Sequence, residues 1–234
     1  MKVLISFFSF FLLLAGCQDE MPDPVPNENP PAAEVLQYLA LGDSYTIGES
    51  VEATGRWPNQ LADSLQSRGV DMRVAQNIAV TGWTTRNLLD GMEQSELADS
   101  YDLVSLLIGV NNFYQGRSIE EYEQEFNELL DRALALTGNQ PERLIVLSIP
   151  DYAYTPFGAN TPDPEAISVG IDAFNAVNRS NTEARGIAYF DITPISRQGL
   201  DEPDLVASDG LHPSSKQYTA WVSAMVDDVR RLFP

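Results

Sequence analysis

Apolar and polar positions alternate with two different periods along this chain, and the changes of period divide it into elements. Five short runs, Gln37–Leu41, Met72–Asn77, Leu103–Ile108, Leu144–Ile149 and Ala188–Asp191, are mostly continuous in apolar residues, the pattern of strands covered on both faces. Between them apolar residues recur at helical spacing. Ser118-Ile119-Glu120-Glu121 is a capping-box pattern, after which Tyr122, Phe126, Leu129, Leu130, Ala133 and Leu134 share one face until Gly138. Pro58–Gln66, Thr84–Leu89, Glu165–Arg185 and Ser214–Leu232 give further helices, the last with a stripe of Tyr218, Trp221, Val222, Met225 and Val229.

Strand and helix alternating in this way predict an α/β fold. Its form is a three-layer α/β/α sandwich with a central five-stranded parallel sheet and right-handed crossovers. In such sheets ligands collect beyond the carboxyl ends of the strands. The polar residues of interest fall there: Ser44 follows the first strand, Gly82 the second and Asn111 the third, while Asp209 and His212 lie between the last strand and the last helix.

The N-terminal segment has a different pattern. Lys2 precedes an apolar run, Val3–Ala15, that ends in Leu14-Ala15-Gly16-Cys17. This reads as an export signal over residues 1–16, too short to remain as a membrane-spanning helix. Leu14–Cys17 resembles the bacterial lipobox, which implies that Cys17, the only cysteine, is acylated; an ordinary secretory signal with an unused thiol is the alternative. Pro22, Pro24, Pro26, Pro30 and Pro31 then make the rest of 17–34 an extended tether of roughly 50 Å, at about 3.1 Å per residue. The expected location is the bacterial cell envelope, exported and held on a membrane through the lipid rather than embedded in it. Residues 35–234 have the length of one catalytic domain around a sizeable core.

Composition narrows the partners. The net charge of −20, one unit more negative once Lys2 is removed, repels phosphate backbones and anionic headgroups. Nucleic acid is therefore excluded as a partner, and membrane contact falls to the anchor. With one histidine and one cysteine, the chain lacks the nitrogen and sulfur ligands that zinc prefers, and neither a metal nor a cofactor is called for. The oligomeric state is left open.

His212 is the only imidazole, and Asp209 stands three residues before it. An imidazole oriented by a carboxylate is the usual base for activating a serine hydroxyl. Taken singly, each residue also has a structural reading: Ser44 as a helix N-cap, Gly82 as a turn glycine, Asn111 as a cap and His212 as a hydrogen-bonded core histidine.

Four blocks stand in order over nearly the whole of Val35 to Phe233: Gly42-Asp43-Ser44-Tyr45, Asn77-Ile78-Ala79-Val80-Thr81-Gly82, Gly109-Val110-Asn111-Asn112 and Asp209-Gly210-Leu211-His212-Pro213. In these blocks the chain resembles the SGNH, or GDSL, hydrolase family. The resemblance implies a flavodoxin-like sandwich, with Ser44 as nucleophile, His212 as general base and Asp209 orienting the ring. It implies an oxyanion hole built from the backbone N–H of Ser44, the backbone N–H of Gly82 and the side-chain amide of Asn111. Asn112 departs from the family pattern, standing where many relatives carry aspartate. The implied activity is hydrolysis of small or short-chain carboxylic esters through an acyl-enzyme, esterase- or lipase-like; the expected envelope location, and not the resemblance, adds acetylated polysaccharide as a substrate.

Other readings are weaker. No Gly-x-Ser-x-Gly surrounds Ser44, so the α/β-hydrolase nucleophile elbow is absent. A glycosidase needs two carboxyls at a defined separation, and no pair among the 34 acidic residues is marked by context. An envelope lipoprotein that binds glycan or peptide without turnover is the alternative on the same fold. Tyr45, Trp83, Phe113, Tyr114, Tyr152, Tyr154 and Phe157 are placed on the rim, where they can stack on a sugar, wall an acyl pocket or simply pack.

Overall fold

Strands β1 (Leu36–Gly42), β2 (Met72–Ala79), β3 (Leu103–Leu107), β4 (Leu144–Leu147) and β5 (Ala188–Phe190) form one parallel sheet in the order β2-β1-β3-β4-β5. They belong to a computed structural model that describes residues 35–233. The export signal, Cys17 and the Pro-rich tether lie outside the described residues.

Nine α-helical segments are described: α1 (Ser44–Ile47), α2 (Trp57–Gln66), α3 (Thr85–Gln94), α4 (Val110–Tyr114), α5 (Ile119–Ala135), α6 (Pro156–Ala159), α7 (Pro164–Glu183), α8 (Thr193–Ser196) and α9 (Ser215–Arg230). Helix α2 packs on α9, whereas α3, α5 and α7 pack on one another in succession, giving the two outer layers of the α/β/α sandwich. The expected fold class is the observed one.

Burial follows the sequence pattern. Every residue of β3 and β4 is buried, as their unbroken apolar runs require of strands covered on both faces. Strand β2 is an edge, and its exposed Arg73 and Ala75 fit that position. Its register against β1 shifts between Tyr38 and Leu39, which pair with Val74 and Gln76, so Ala75 is passed over as a bulge. Helix α5 buries Tyr122, Phe126, Leu129, Leu130 and Ala133 as expected, but Leu134 is only partly buried. In α9 the expected stripe is buried together with Val226. Each fully buried large apolar side chain contributes about 1.5–3 kcal/mol relative to exposure, so the interior of the sandwich dominates its stability.

Several boundaries differ from expectation. Strand β2 continues to Ala79 because its ladder with β1 runs until Gly42 pairs with Ala79. Strand β3 stops at Leu107, and two residues on Gly109 turns the chain at φ 130°. Helix α3 runs five residues past Leu89, to Gln94, because Met92 extends its buried face. The short helices α1, α4, α6 and α8 carry too few residues to show a hydrophobic period.

The connections out of β1 fix the position of the site. The chain leaves β1 toward β2 on one side and returns to β3 on the other, so the strand order reverses between β1 and β3. A crevice opens at such a reversal, outside the carboxyl ends of the two strands. Helix α1 begins at the end of β1 and α4 begins at the end of β3, so Ser44 and Asn111 flank this crevice.

Candidate active site

Asp43, not Ser44, caps α1. Its Oδ1 accepts from the backbone N–H of Tyr45 at 3.0 Å, and the helix closes at Gly48, whose φ of 71° is the left-handed conformation that glycine adopts freely. Ser44 is therefore the first helical residue, and its hydroxyl is released from capping. Gly42 lets this turn form. A Cβ there would lie 2.2 Å from Thr46 Oγ1 and 2.4 Å from the Leu107 carbonyl oxygen, so only glycine permits α1 to double back against β3.

His212 sits on a loop held from both sides. The Ala207 N–H donates to the His212 carbonyl at 2.7 Å, and the Ser214 N–H donates to the Leu205 carbonyl at 2.8 Å. Within the loop Asp209 folds back on its own backbone, its Oδ1 accepting from the N–H groups of Leu211 and His212, both at 2.9 Å. The other oxygen, Oδ2, lies 2.7 Å from His212 Nδ1. This explains the Asp-x-x-His spacing: the carboxylate that turns the chain also reaches the ring three residues later. Tyr45 supports the ring from the α1 side, with centroids 5.5 Å apart.

Ser44, Gly82, Asn111 and His212 line one cavity of about 250 Å³. Asp209 stands behind the imidazole. Ser44 is 4 % exposed and His212 9 %, so both are shielded from bulk water. Among the described residues, the backbone N–H groups of Ser44 and Gly82 have no acceptor within the chain. Gly82 has a φ of 84°, and a Cβ there would meet nothing within 4 Å, so glycine is required by conformation rather than by close packing. Asn111 donates one amide hydrogen to the Trp83 carbonyl at 3.0 Å, which orients its side chain, and has a second to give.

Sequence reasoning missed two groups around this site, Ser50 and Asp43, and noted Asn112 without giving it a role. Ser50 Oγ donates to Asp209 Oδ2 at 2.6 Å from a loop 159 residues away. Partial burial raises the Asp209 carboxyl, but donors from Ser50, the His212 and Leu211 backbone and the imidazole outweigh it and hold it down at about 2. Asp43 is fully buried, its Oδ2 has no partner, and burial pushes its carboxyl up to about 7 despite the lowering backbone bonds. Asn112 is fully buried as well. It accepts from the Thr85 N–H at 3.0 Å and donates to Thr85 Oγ1 at 2.6 Å, while that hydroxyl donates onward to Glu125. The amide thus ties α4 to the head of α3, a role that needs a donor and an acceptor rather than a charge.

Four of the seven rim aromatics line the cavity: Tyr45, Tyr114, Tyr152 and Phe157. The other three do not. Trp83 packs over Gly91, and Phe113 over Gly170. Tyr154 is part of the short 3-10 turn Tyr152–Tyr154 and lies outside the lining.

Comparison with known proteins agrees with this arrangement of strands and loops. An arylesterase of Vibrio mimicus is 33% identical over 113 residues, 48% of this chain and 48% of that protein, so the match spans about half the length of this curated relative. The acetylxylan esterase Axe2 of Geobacillus stearothermophilus superimposes with a TM-score of 0.65 at 20% identity, over 83% of this chain and 94% of that one. LAE5, described as an alpha/beta hydrolase enzyme from the metagenome of Lake Arreo, Spain, gives 0.64 at 19% identity, over 85% and 97%. These two likenesses show the fold. The model of the GDSL-like Lipase/Acylhydrolase family matches residues 40–220, which include the ends of β1, β2 and β3 and the Asp209–His212 loop, and the chain belongs to that family.

Proposed function

We propose that the protein hydrolyses small carboxylic esters through an acyl-enzyme on Ser44. The observation that carries this reading is the shared cavity, whose lining includes Ser44, Gly82, Asn111 and the carboxylate-held His212. The arylesterase that matches over about half its length supports an ester as substrate.

The chemistry is read from the Asp209–His212 bond and the residues that share the cavity. Asp209 Oδ2 accepts from Nδ1–H of His212, which leaves the lone pair on Nε2. As Ser44 Oγ attacks the carbonyl carbon, Nε2 takes its proton and the carbonyl electrons move to oxygen. The N–H groups of Ser44 and Gly82 and the free amide hydrogen of Asn111 are the donors for that oxyanion. Each such donor is worth about 10² to 10³ in turnover. Collapse re-forms the carbonyl and breaks the bond to the alcohol oxygen, which receives the proton from Nε2. Water then repeats the sequence on the acyl-serine and releases the acid. Asp209 remains ionised throughout and stabilises the imidazolium.

The same reading places the enzyme on a bacterial membrane, tethered through a lipid on Cys17; the sequence Leu14-Ala15-Gly16-Cys17 and the Pro-rich segment after it support this. Turnover of p-nitrophenyl acetate by the protein and by Ser44→Ala tests the catalytic part. Loss of activity to the solvent background is expected in the variant, and equal rates would overturn the reading.

A further inference from the structure

Three rings meet on one wall of the cavity. Tyr114 ends α4, whereas Tyr152 and Phe157 come from the chain after β4. Their centroids are 6.2 Å (Tyr114–Tyr152), 6.4 Å (Tyr114–Phe157) and 6.3 Å (Tyr152–Phe157) apart, within the range of aromatic pairing. Their planes are mutually inclined by 73°, 50° and 49°, so the wall is folded rather than flat.

The wall is exposed in front and braced behind. Tyr114 is 61% exposed and Phe157 43%, unlike the aromatics of the core. Behind them Phe113 packs on Tyr152 at 6.5 Å and on Phe174 at 5.8 Å, and Phe174 packs on Tyr122 at 4.7 Å. Gly170 of α7 makes room for Phe113, since a Cβ there would lie 2.0 Å from its ring. The exposed rings therefore rest on a buttress continuous with the core.

Charge and size select what this wall can hold. Among the described residues, no acidic side chain, lysine or arginine lines the cavity. An anionic ester would meet no cation there, on a chain whose net charge is −20. Apart from Ser44, Asn111 and His212, the polar side chains of the lining are Thr81, whose hydroxyl is committed to Glu49, and the tyrosine hydroxyls. A sugar ring, with hydroxyls on every side, finds few partners, whereas an apolar ring loses nothing. At about 250 Å³ the cavity is smaller than sites for drug-sized ligands, roughly 300–1,000 Å³, and suits a compact ester.

We propose that Tyr114, Tyr152 and Phe157 form a subsite for an uncharged aromatic ring carried by the ester, so that small aryl and arylalkyl esters are the substrate class. This rests on the reading of Ser44 as nucleophile.

The test compares esters that differ in the ring but have alkoxide leaving groups of similar basicity. Benzyl acetate against ethyl acetate places the ring on the alcohol; methyl phenylacetate against methyl acetate places it on the acyl group. In one pair the ring-bearing ester should show a KM about tenfold lower, equivalent to about 1.4 kcal/mol. In Tyr114→Leu/Phe157→Leu, which keeps apolar bulk without the rings, the ratio of the two KM values should fall toward one. Benzyl 4-carboxylate acetate and acetylated xylobiose should be poorer substrates than benzyl acetate. Equal KM values within both pairs, an unchanged ratio in the double variant, or preference for the anionic or sugar ester would overturn the subsite. Calorimetric binding of the preferred ring-bearing ester to Ser44→Ala separates this from the catalytic reading. If every ester resists turnover by the intact enzyme the nucleophile is wrong, yet ring-dependent binding that the double variant abolishes would still uphold the subsite, and its absence would sink it.

Discussion

Ser50 Oγ lies 2.6 Å from Asp209 Oδ2, the same carboxylate oxygen that stands 2.7 Å from His212 Nδ1. Ser50 reaches it from a backbone with φ 61°, a left-handed conformation that serine seldom adopts. Two donors thus share one oxygen, and the loop after α1 is tied to the loop that carries the imidazole.

Removing that hydroxyl removes one of the bonds that hold the Asp209 carboxyl at about 2 against the raising effect of burial. A carboxyl held low is charged above its titration and loses its pairing as pH falls through it, so Ser50→Ala should titrate Asp209 at higher pH. Carbon NMR of the Asp209 carboxyl reads the shift directly. The same variant should lower kcat by a factor of about ten, the low end of the worth of one hydrogen bond to a charged group (about 1.5–3 kcal/mol), because Ser50 acts on the imidazole only through Asp209. An unchanged titration would show that Ser50 does not act on Asp209.

Asp43 imposes a pH dependence of the opposite sense on stability. Burial raises its carboxyl from 3.8 to about 7, so between these values the folded chain retains a proton that the unfolded chain has released. Its contribution is complete below 3.8 and declines as pH rises toward 7, by about 1.4 kcal/mol for each pH unit within the window. Asp43→Asn has no such proton. The difference in unfolding free energy between the two proteins, measured by urea denaturation from pH 4 to 7, should change steadily with pH; a constant difference would contradict this.

Asn112 makes the departure from the family pattern a matched one. An aspartate there keeps the acceptor for the Thr85 N–H but loses the donor to Thr85 Oγ1, and sets a second carboxylate across that hydroxyl from Glu125. Asn112→Asp should cost about 1–3 kcal/mol, as for a buried group left without its partner. An unchanged denaturation midpoint would argue against the bridge.

Much of this molecule was legible in the sequence for a physical reason. Parallel strands covered on both faces leave unbroken apolar runs, and a chain that must turn sharply at their ends leaves glycine and polar residues there. Gly42, Gly82 and Gly109 with Ser44 and Asn111 mark three such ends. The Asp209–His212 spacing was readable because one carboxylate serves both the turn and the ring. What was not readable depends on distance and brevity. Ser50 meets Asp209 across 159 residues, and nothing in its surroundings marks the pairing. Helix α1 has four residues, too few for a period that would show its cap to be Asp43 rather than Ser44. Of the aromatics near the rim, side-chain direction alone separates Tyr114 and Phe157, which face the cavity, from Trp83 and Phe113, which pack beneath it.

The anchor has its own outcome. Cys17→Ala should leave the protein in the soluble fraction of lysed cells with turnover unchanged, since two or more acyl chains account for stable membrane attachment. Continued sedimentation with membranes would refute lipidation at Cys17.

The central claim is that Ser44 is activated by His212 and no other group. Labelling the protein with a fluorophosphonate and mapping the adduct by mass spectrometry tests it most directly. The account predicts one adduct, on the peptide bearing Ser44, that is absent from Ser44→Ala and forms far more slowly in His212→Ala. An adduct on another residue, or equal labelling when Ser44 or His212 is replaced, would contradict it.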